Sequence, residues 1–137
     1  MDCAQPRVLA KFWALALGYI ERPPPEGFAS WDEWFASYGV PEAEWDDAAY
    51  LTDPDGVLPT ISFLKVPEPK TAKNRVHLDV QIGGGRQVDT ETRWPRVLDL
   101  VTRLEAAGAT VRYVDEVEGK PDHVTMADPE GNEFCVL

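Results

Sequence analysis

The sequence predicts an α+β chain built from two copies of one strand–helix–strand–strand–strand module, and three observations carry that reading. "PRVL" stands at Pro6–Leu9 and again at Pro95–Leu98. A turn of the form Asp-Pro-x-Gly stands at Asp53–Gly56 and again at Asp128–Gly131. Each PRVL copy opens an apolar-periodic stretch that stops at a glycine, Gly18 and then Gly108. Self-similarity at this scale is the mark of a repeated structural unit.

The elements follow in chain order. Proline is tolerated in a first helical turn, where its missing N–H had no partner, and glycine just past a helix end accepts the left-handed conformation. Helices are therefore expected near residues 6–17 and 95–107. In the second, Val97, Val101 and Leu104 share a face with Leu98 beside them. Asp-Pro with glycine two residues later is turn chemistry, and each copy lies between β-prone runs. These are "AAYLT" and "PTISFLKV" in the first copy, "DHVTMA" and "EFCVL" in the second. "NRVHLDVQI" alternates, with Val76, Leu78, Val80 and Ile82 on one face and His77, Asp79 and Gln81 on the other. It reads as the opening strand of the second module, and "ATVRYVDEV" as the strand after its helix. The modules are placed at residues 1–66 and 74–137, joined by a proline-rich polar linker at 67–73.

From proline to turn the first half spans 47 positions against 33 in the second, and the excess is assigned to an insertion at about residues 23–47. Within it, Ser30 and Glu33 form a capping box, and Trp31, Trp34, Phe35 and Tyr38 recur at i, i+3, i+4, i+7. A short helix is expected at about 31–38, stopped by Gly39. Its aromatic face reads as buried, with a wall over a binding pocket as the rival reading.

Charge narrows the function classes. Thirteen bases against twenty-four acids leave a net charge of −11, which argues against nucleic acid and anionic membrane surfaces. Between Pro23 and Leu64 lie nine acids and no Lys, Arg or His. Such a tract keeps a surface solvated, or it draws a cationic ligand. No apolar run approaches the length of a membrane span. The N-terminus starts with an acid and lacks the basic-then-apolar layout of a secretory leader. Cys3 and Cys135 are too few for a disulfide framework and lack zinc-finger spacing, so a reducing cytoplasm is expected.

The paired modules, the glycine-stopped helices and the stretches "KNRVHLDV" and "DPEGNEFCVL" together resemble the vicinal oxygen chelate superfamily. That superfamily includes glyoxalase I, bleomycin-resistance proteins and extradiol dioxygenases. The resemblance implies mixed sheets curled around a cleft, with each helix on the convex side. It also implies that metal-dependent members take one ligand from the first and one from the last strand of each module. His77 stands at the first-strand position of the second module, and Cys135 stands where those relatives carry glutamate. The counterpart of His77 in the first module would precede Met1, so either that module's first strand is truncated or the native start lies upstream. A thiolate can bind zinc, but a catalytic zinc site needs a third protein ligand. On this reading the cleft is lined by His77, Asp79, His123, Glu133 and Cys135, with Trp34 added from the inserted helix. No tightly bound transition metal is expected; the runner-up is a divalent metal at His77.

The function expected is a glyoxalase-like, small-molecule-binding protein, homodimeric, holding a cationic or aromatic ligand as bleomycin-resistance relatives do. One rival is a metal-dependent lyase, isomerase or dioxygenase of the same superfamily. Another is a partner-binding module that uses the Trp-rich helix. "GGGRQ" at Gly83–Gln87 lacks phosphate-loop spacing and reads as a flexible connection.

Overall fold

A computed structural model describes residues 1–137 and divides into two compact units, Met1–Pro69 and Lys70–Leu137. Both are α+β, and both follow one strand order. The first unit contains β1 (Asp2–Cys3), α1 (Pro6–Leu17), β2 (Ile20–Glu21), α2 (Trp31–Ser37), β3 (Ala48–Thr52) and β4 (Ile61–Lys65), with a 3-10 turn at Glu42–Glu44. The second contains β5 (Asp79–Val80), α3 (Thr90–Ala106), β6 (Thr110–Val117), β7 (Lys120–Ala127) and β8 (Glu133–Val136). The sheets run β1-β4-β3-β2 and β5-β8-β7-β6. In each, the first and last strands pair in parallel and the other neighbours are antiparallel. No helix is long and apolar enough to cross a membrane.

The long helices pack by the same periodicity. Leu9, Phe12, Trp13 and Ala16 of α1 are buried at i, i+3, i+4, i+7, and so are Val97, Leu100, Val101 and Leu104 of α3. That stripe faces the core, and α1 rests on β3 and β4 while α3 rests mainly on β7. Opposite them stand Leu51 and Phe63 in the first unit, and Val124, Met126, Phe134 and Val136 in the second, all essentially without solvent contact. Burying one such side chain stabilises by about 1.5–3 kcal/mol.

The PRVL repeat, however, is not a structural repeat. Pro6 opens α1, whereas Pro95 lies inside α3, five residues after its start at Thr90. The helix therefore begins earlier than the expected residue 95. Proline is tolerated there because the carbonyl it leaves without a helical donor is that of Glu91, in the exposed first turn. The phases differ too: Leu9 is buried and Val8 exposed in the first copy, while Val97 is buried and Leu98 exposed in the second. The Asp-Pro-x-Gly turn is the true equivalence. Asp53 follows the last residue of β3 and Asp128 the last residue of β7.

Two further elements differ from expectation. The run "NRVHLDVQI" forms a strand only at Asp79–Val80, and Val76 and Ile82 are exposed. Its sole neighbour in the sheet is β8, four residues long, so there is no ladder for the rest to join. The aromatic helix α2 has its capping box, with Ser30 Oγ accepting from Glu33 N at 3.1 Å and Glu33 Oε2 from Ala29 N at 2.8 Å. None of its residues is fully buried. Its rings instead pack among themselves and against Tyr50 and Trp45.

Candidate functional site

Strand alternation sorts the second unit's sheet into a packed face and a polar one. Phe134 and Val136 point to the α3 side, so Cys135 between them points to the other. The Cα of Asp79 lies opposite that of Cys135 in the parallel pair, and Thr125 lies opposite Cys135 in the antiparallel one. Two backbone bonds fix this register, Cys135 N to Leu78 O at 2.9 Å and Leu137 N to Val80 O at 3.0 Å. His77, two residues before Asp79, falls on the same face although it precedes the short strand.

The result is a continuous chain of polar side chains. His77 Nε2 lies 3.6 Å from Asp79 Oδ1 and 3.0 Å from Cys135 Sγ. Cys135 Sγ is 3.4 Å from Thr125 Oγ1, which donates to Asp115 Oδ2 at 3.5 Å. Asp115 Oδ2 is 2.9 Å from His123 Nε2, and His123 Nδ1 is 3.0 Å from Asp122 Oδ2. Both ring nitrogens of His123 thus meet carboxylate oxygens. The chain ends at Asp122, which accepts from Arg86 Nε at 2.9 Å and Arg86 Nη2 at 2.8 Å, with buried Arg93 3.5 Å away. Arg93 also donates to the carbonyls of Asp122 and Pro121, which ties α3 to β7.

The electrostatics follow from these contacts. The Arg86 guanidinium holds the Asp122 carboxyl far below the usual carboxylate range; burial opposes this and His123 adds to it. Burial pushes the Cys135 thiol up, the Thr125 hydroxyl works against that, and the charges of Asp79, Asp115 and Asp122 push it further. Cys135 is therefore a protonated, shielded thiol rather than a ready nucleophile.

The predicted site residues divide clearly. His77, Asp79, Cys135 and His123 belong to this one chain. Glu133 is turned to Lys73, at 2.6 Å, which lowers its carboxyl below the usual value. Trp34 belongs to the first unit, where its ring lies 4.8 Å from Tyr38 and 5.6 Å from Trp31. Asp115, Asp122 and Thr125 were not among the residues expected from sequence. Alternation from His123 points to Thr125, but only the β6–β7 register brings Asp115 opposite His123.

The divalent metal that the resemblance implies can be tested against these donors. The ligand atoms of His77, Asp79 and Cys135 all lie within 4.8 Å of one another. Tetrahedral zinc, with bonds of about 2.0–2.3 Å, holds its ligand atoms roughly 3.3–3.8 Å apart. Nitrogen, oxygen and sulfur donors of this kind suit zinc, and the exposed Asp79 carboxylate has room to close the difference. The residues fit. The sequence argument against a metal rested on the want of a third donor, and Asp79 stands where it can be one.

A family model described as a glyoxalase-like domain matches residues 1–137. No curated protein matches the sequence. Among solved structures, a glyoxalase/bleomycin resistance protein/dioxygenase family enzyme from Burkholderia phytofirmans aligns at TM-score 0.60 and 16% identity, covering 99% of this chain and 91% of that one. A glyoxalase/dioxygenase from Nostoc punctiforme aligns at 0.56 and 19%, covering 99% and 84%. A mutant of the fosfomycin resistance protein FosX from Listeria monocytogenes, complexed with Mn(II) and 1S,2S-dihydroxypropylphosphonic acid, aligns at 0.58 and 12%, covering 99% and 82%. At these identities the likeness is one of fold.

Proposed function

The chain belongs to the glyoxalase-like domain family, within the vicinal oxygen chelate superfamily, and we propose that it binds a cationic or aromatic small molecule on the polar face of the second unit's sheet. One observation supports this above the others. The face carries two partly exposed carboxylates, Asp79 and Asp115, with the imidazoles of His77 and His123 beside them and no Lys or Arg in salt-bridge contact with either. In a protein of net charge −11 such groups hold a field that attracts cations, and the imidazoles beside them offer flat surfaces for an aromatic ligand. The ligand is sequestered, as in the bleomycin-resistance kind of relative, and Cys135 serves as a shielded wall of the site.

The test is calorimetric titration of the full chain, in chelator, with matched cationic and neutral aromatic compounds. Cationic members are expected to bind, and to bind more weakly as salt shortens the screening length from about 10 Å at 0.1 M. Asp79→Asn should weaken them at least several-fold. Equal binding of neutral isosteres, or no effect of Asp79→Asn, refutes the proposal.

A second reading is a metal-dependent lyase, isomerase or dioxygenase. The three-donor group His77, Asp79 and Cys135 favours it, since three protein ligands plus an open position is the pattern of catalytic zinc. A bound metal would supply Lewis acidity toward a ligand oxygen. In that reading His77, Asp79 and Cys135 hold the ion and Thr125 braces the sulfur. Elemental analysis of protein purified without chelator or added metal separates the readings.

We also propose a homodimer. β1 is two residues long and lies at the edge of its sheet, and such edges are usually covered. Light scattering at tens of micromolar should give twice the monomer mass; a monomer refutes it.

A further inference from the structure

We propose that His77, Asp79 and Cys135 form a metal site contained within the second unit alone, and that its sulfur donor selects zinc-like ions over hard ions of the manganese class. The inference rests on the reading of this polar face as the binding face, and it departs from the ligand pattern that the resemblance implies. There, each module lends one residue from its first strand and one from its last. Here a carboxylate two residues after the histidine completes a set of three without any residue of the first unit.

Geometry carries the first half of the proposal. The β5–β8 pairing sets Asp79 opposite Cys135, and period-two alternation brings His77 onto the same side. His77 Nε2 is already 3.0 Å from the sulfur and 3.6 Å from the carboxylate, and all donor atoms fall within 4.8 Å. The imidazole and carboxylate are about half exposed while the sulfur is buried, so an ion has an entry path and keeps an open position toward solvent. The Thr125 hydroxyl lies 3.4 Å from Sγ, and turning its one hydrogen from Asp115 to the sulfur would let it brace the thiolate. Groups of this kind orient metal ligands, and losing one commonly costs about 10–100-fold in affinity.

Donor chemistry carries the second half. Oxygen-rich sites suit magnesium, calcium and manganese, whereas thiolate and imidazole suit zinc and its neighbours. Exchanging a carboxylate for the Cys135 thiol at the last-strand position moves the site from the first group toward the second. Uptake releases the thiol proton as the sulfur–metal bond forms, and needs no oxidant or reductant.

The experiment is titration of the chelator-treated full chain with cobalt(II), read by absorption. Saturable uptake at one ion per chain, with a near-ultraviolet sulfur-to-cobalt charge-transfer band, is expected. Cys135→Ser should abolish that band and Cys3→Ser should keep it, with circular dichroism confirming that both variants fold. Asp79→Asn should weaken cobalt binding by more than about tenfold. Zinc should displace cobalt at concentrations where manganese does not. Cobalt binding without the band, a band that survives Cys135→Ser, unchanged affinity in Asp79→Asn, or equal competition by manganese would each overturn the proposal, as would no saturable uptake. Because the organic-cation titrations are run in chelator and these are not, failure here leaves that reading standing, and the two failures are told apart.

Discussion

The two units share a strand order and a helix stripe, yet only the second brings histidine, carboxylate and thiol together on one sheet face. Register makes the comparison residue by residue. Leu64 lies opposite Ala48 where Cys135 lies opposite Thr125, and Phe63 lies opposite Ala49 where Phe134 lies opposite Met126. The core positions match in kind: Phe63 and Phe134 are both fully buried. Across the sheet the match ends. Where the second unit has a shielded thiol braced by a hydroxyl, the first has a half-exposed leucine beside an alanine. The repeat thus conserves what the helix packs against and leaves the other face free to differ.

Substitutions at matched positions test how far the two units are alike, and the core pair should respond most. Phe63→Ala and Phe134→Ala probe the shared half, and each should cost about 4 kcal/mol in chemical denaturation. A cost near zero at either position would show that the cores are not equivalent. Asp122→Asn probes a feature of the second unit alone and should cost about 3 kcal/mol at neutral pH, because it leaves buried Arg93 without its carboxylate. The pH dependence has a definite sign. Asp122 has a folded-state pKa held below its unfolded value of about 3.9, so its contribution is complete above pH 4 and is lost as the pH falls toward the folded value. Acid titration should therefore show a shallower loss of stability below pH 4 in the variant than in the parent.

The turns come next. Asp128 is buried and accepts from Glu130 N, Asn132 N and Asn132 Nδ2, at 2.8–2.9 Å. Asp53 makes the same kind of turn in the open, accepting from Val57 N and Leu58 N at 2.8 and 2.9 Å. Asp128→Ala should cost about 2 kcal/mol, and Asp53→Ala clearly less in the same thermal melts. The smallest effect belongs to the inserted helix, which has no counterpart: Ser30→Ala removes its cap and should cost about 1 kcal/mol.

Much of this was legible in the sequence, for reasons that differ by element. The turns were readable because Asp-Pro-x-Gly has one local use, and the helix faces because their apolar spacing survives any error in the ends. Pro95 misled because proline marks a first turn only when nothing upstream favours an earlier start. Here α3 begins after Asp89 and is anchored by buried Arg93, which sequence reads as one more charge. The strand at 74–82 was read too long because alternation reports which side chains could share a face, while the ladder ends where its partner ends. His77 and Cys135 were reached through the family resemblance, and strand alternation set Asp79 beside His77. Asp115 joined them only through pairing across a hairpin whose register shifts twice, a property no local pattern encodes.

The position of Cys135 between Phe134 and Val136 has a practical consequence. A slip of one residue in β8 would turn the sulfur inward and force a phenyl ring onto the open side. The rate at which a thiol reagent labels Cys135 is therefore a ruler for the strand's alignment, sensitive to half a pleat. With Cys3 replaced by serine, that one signal would follow the second unit through unfolding without any added probe.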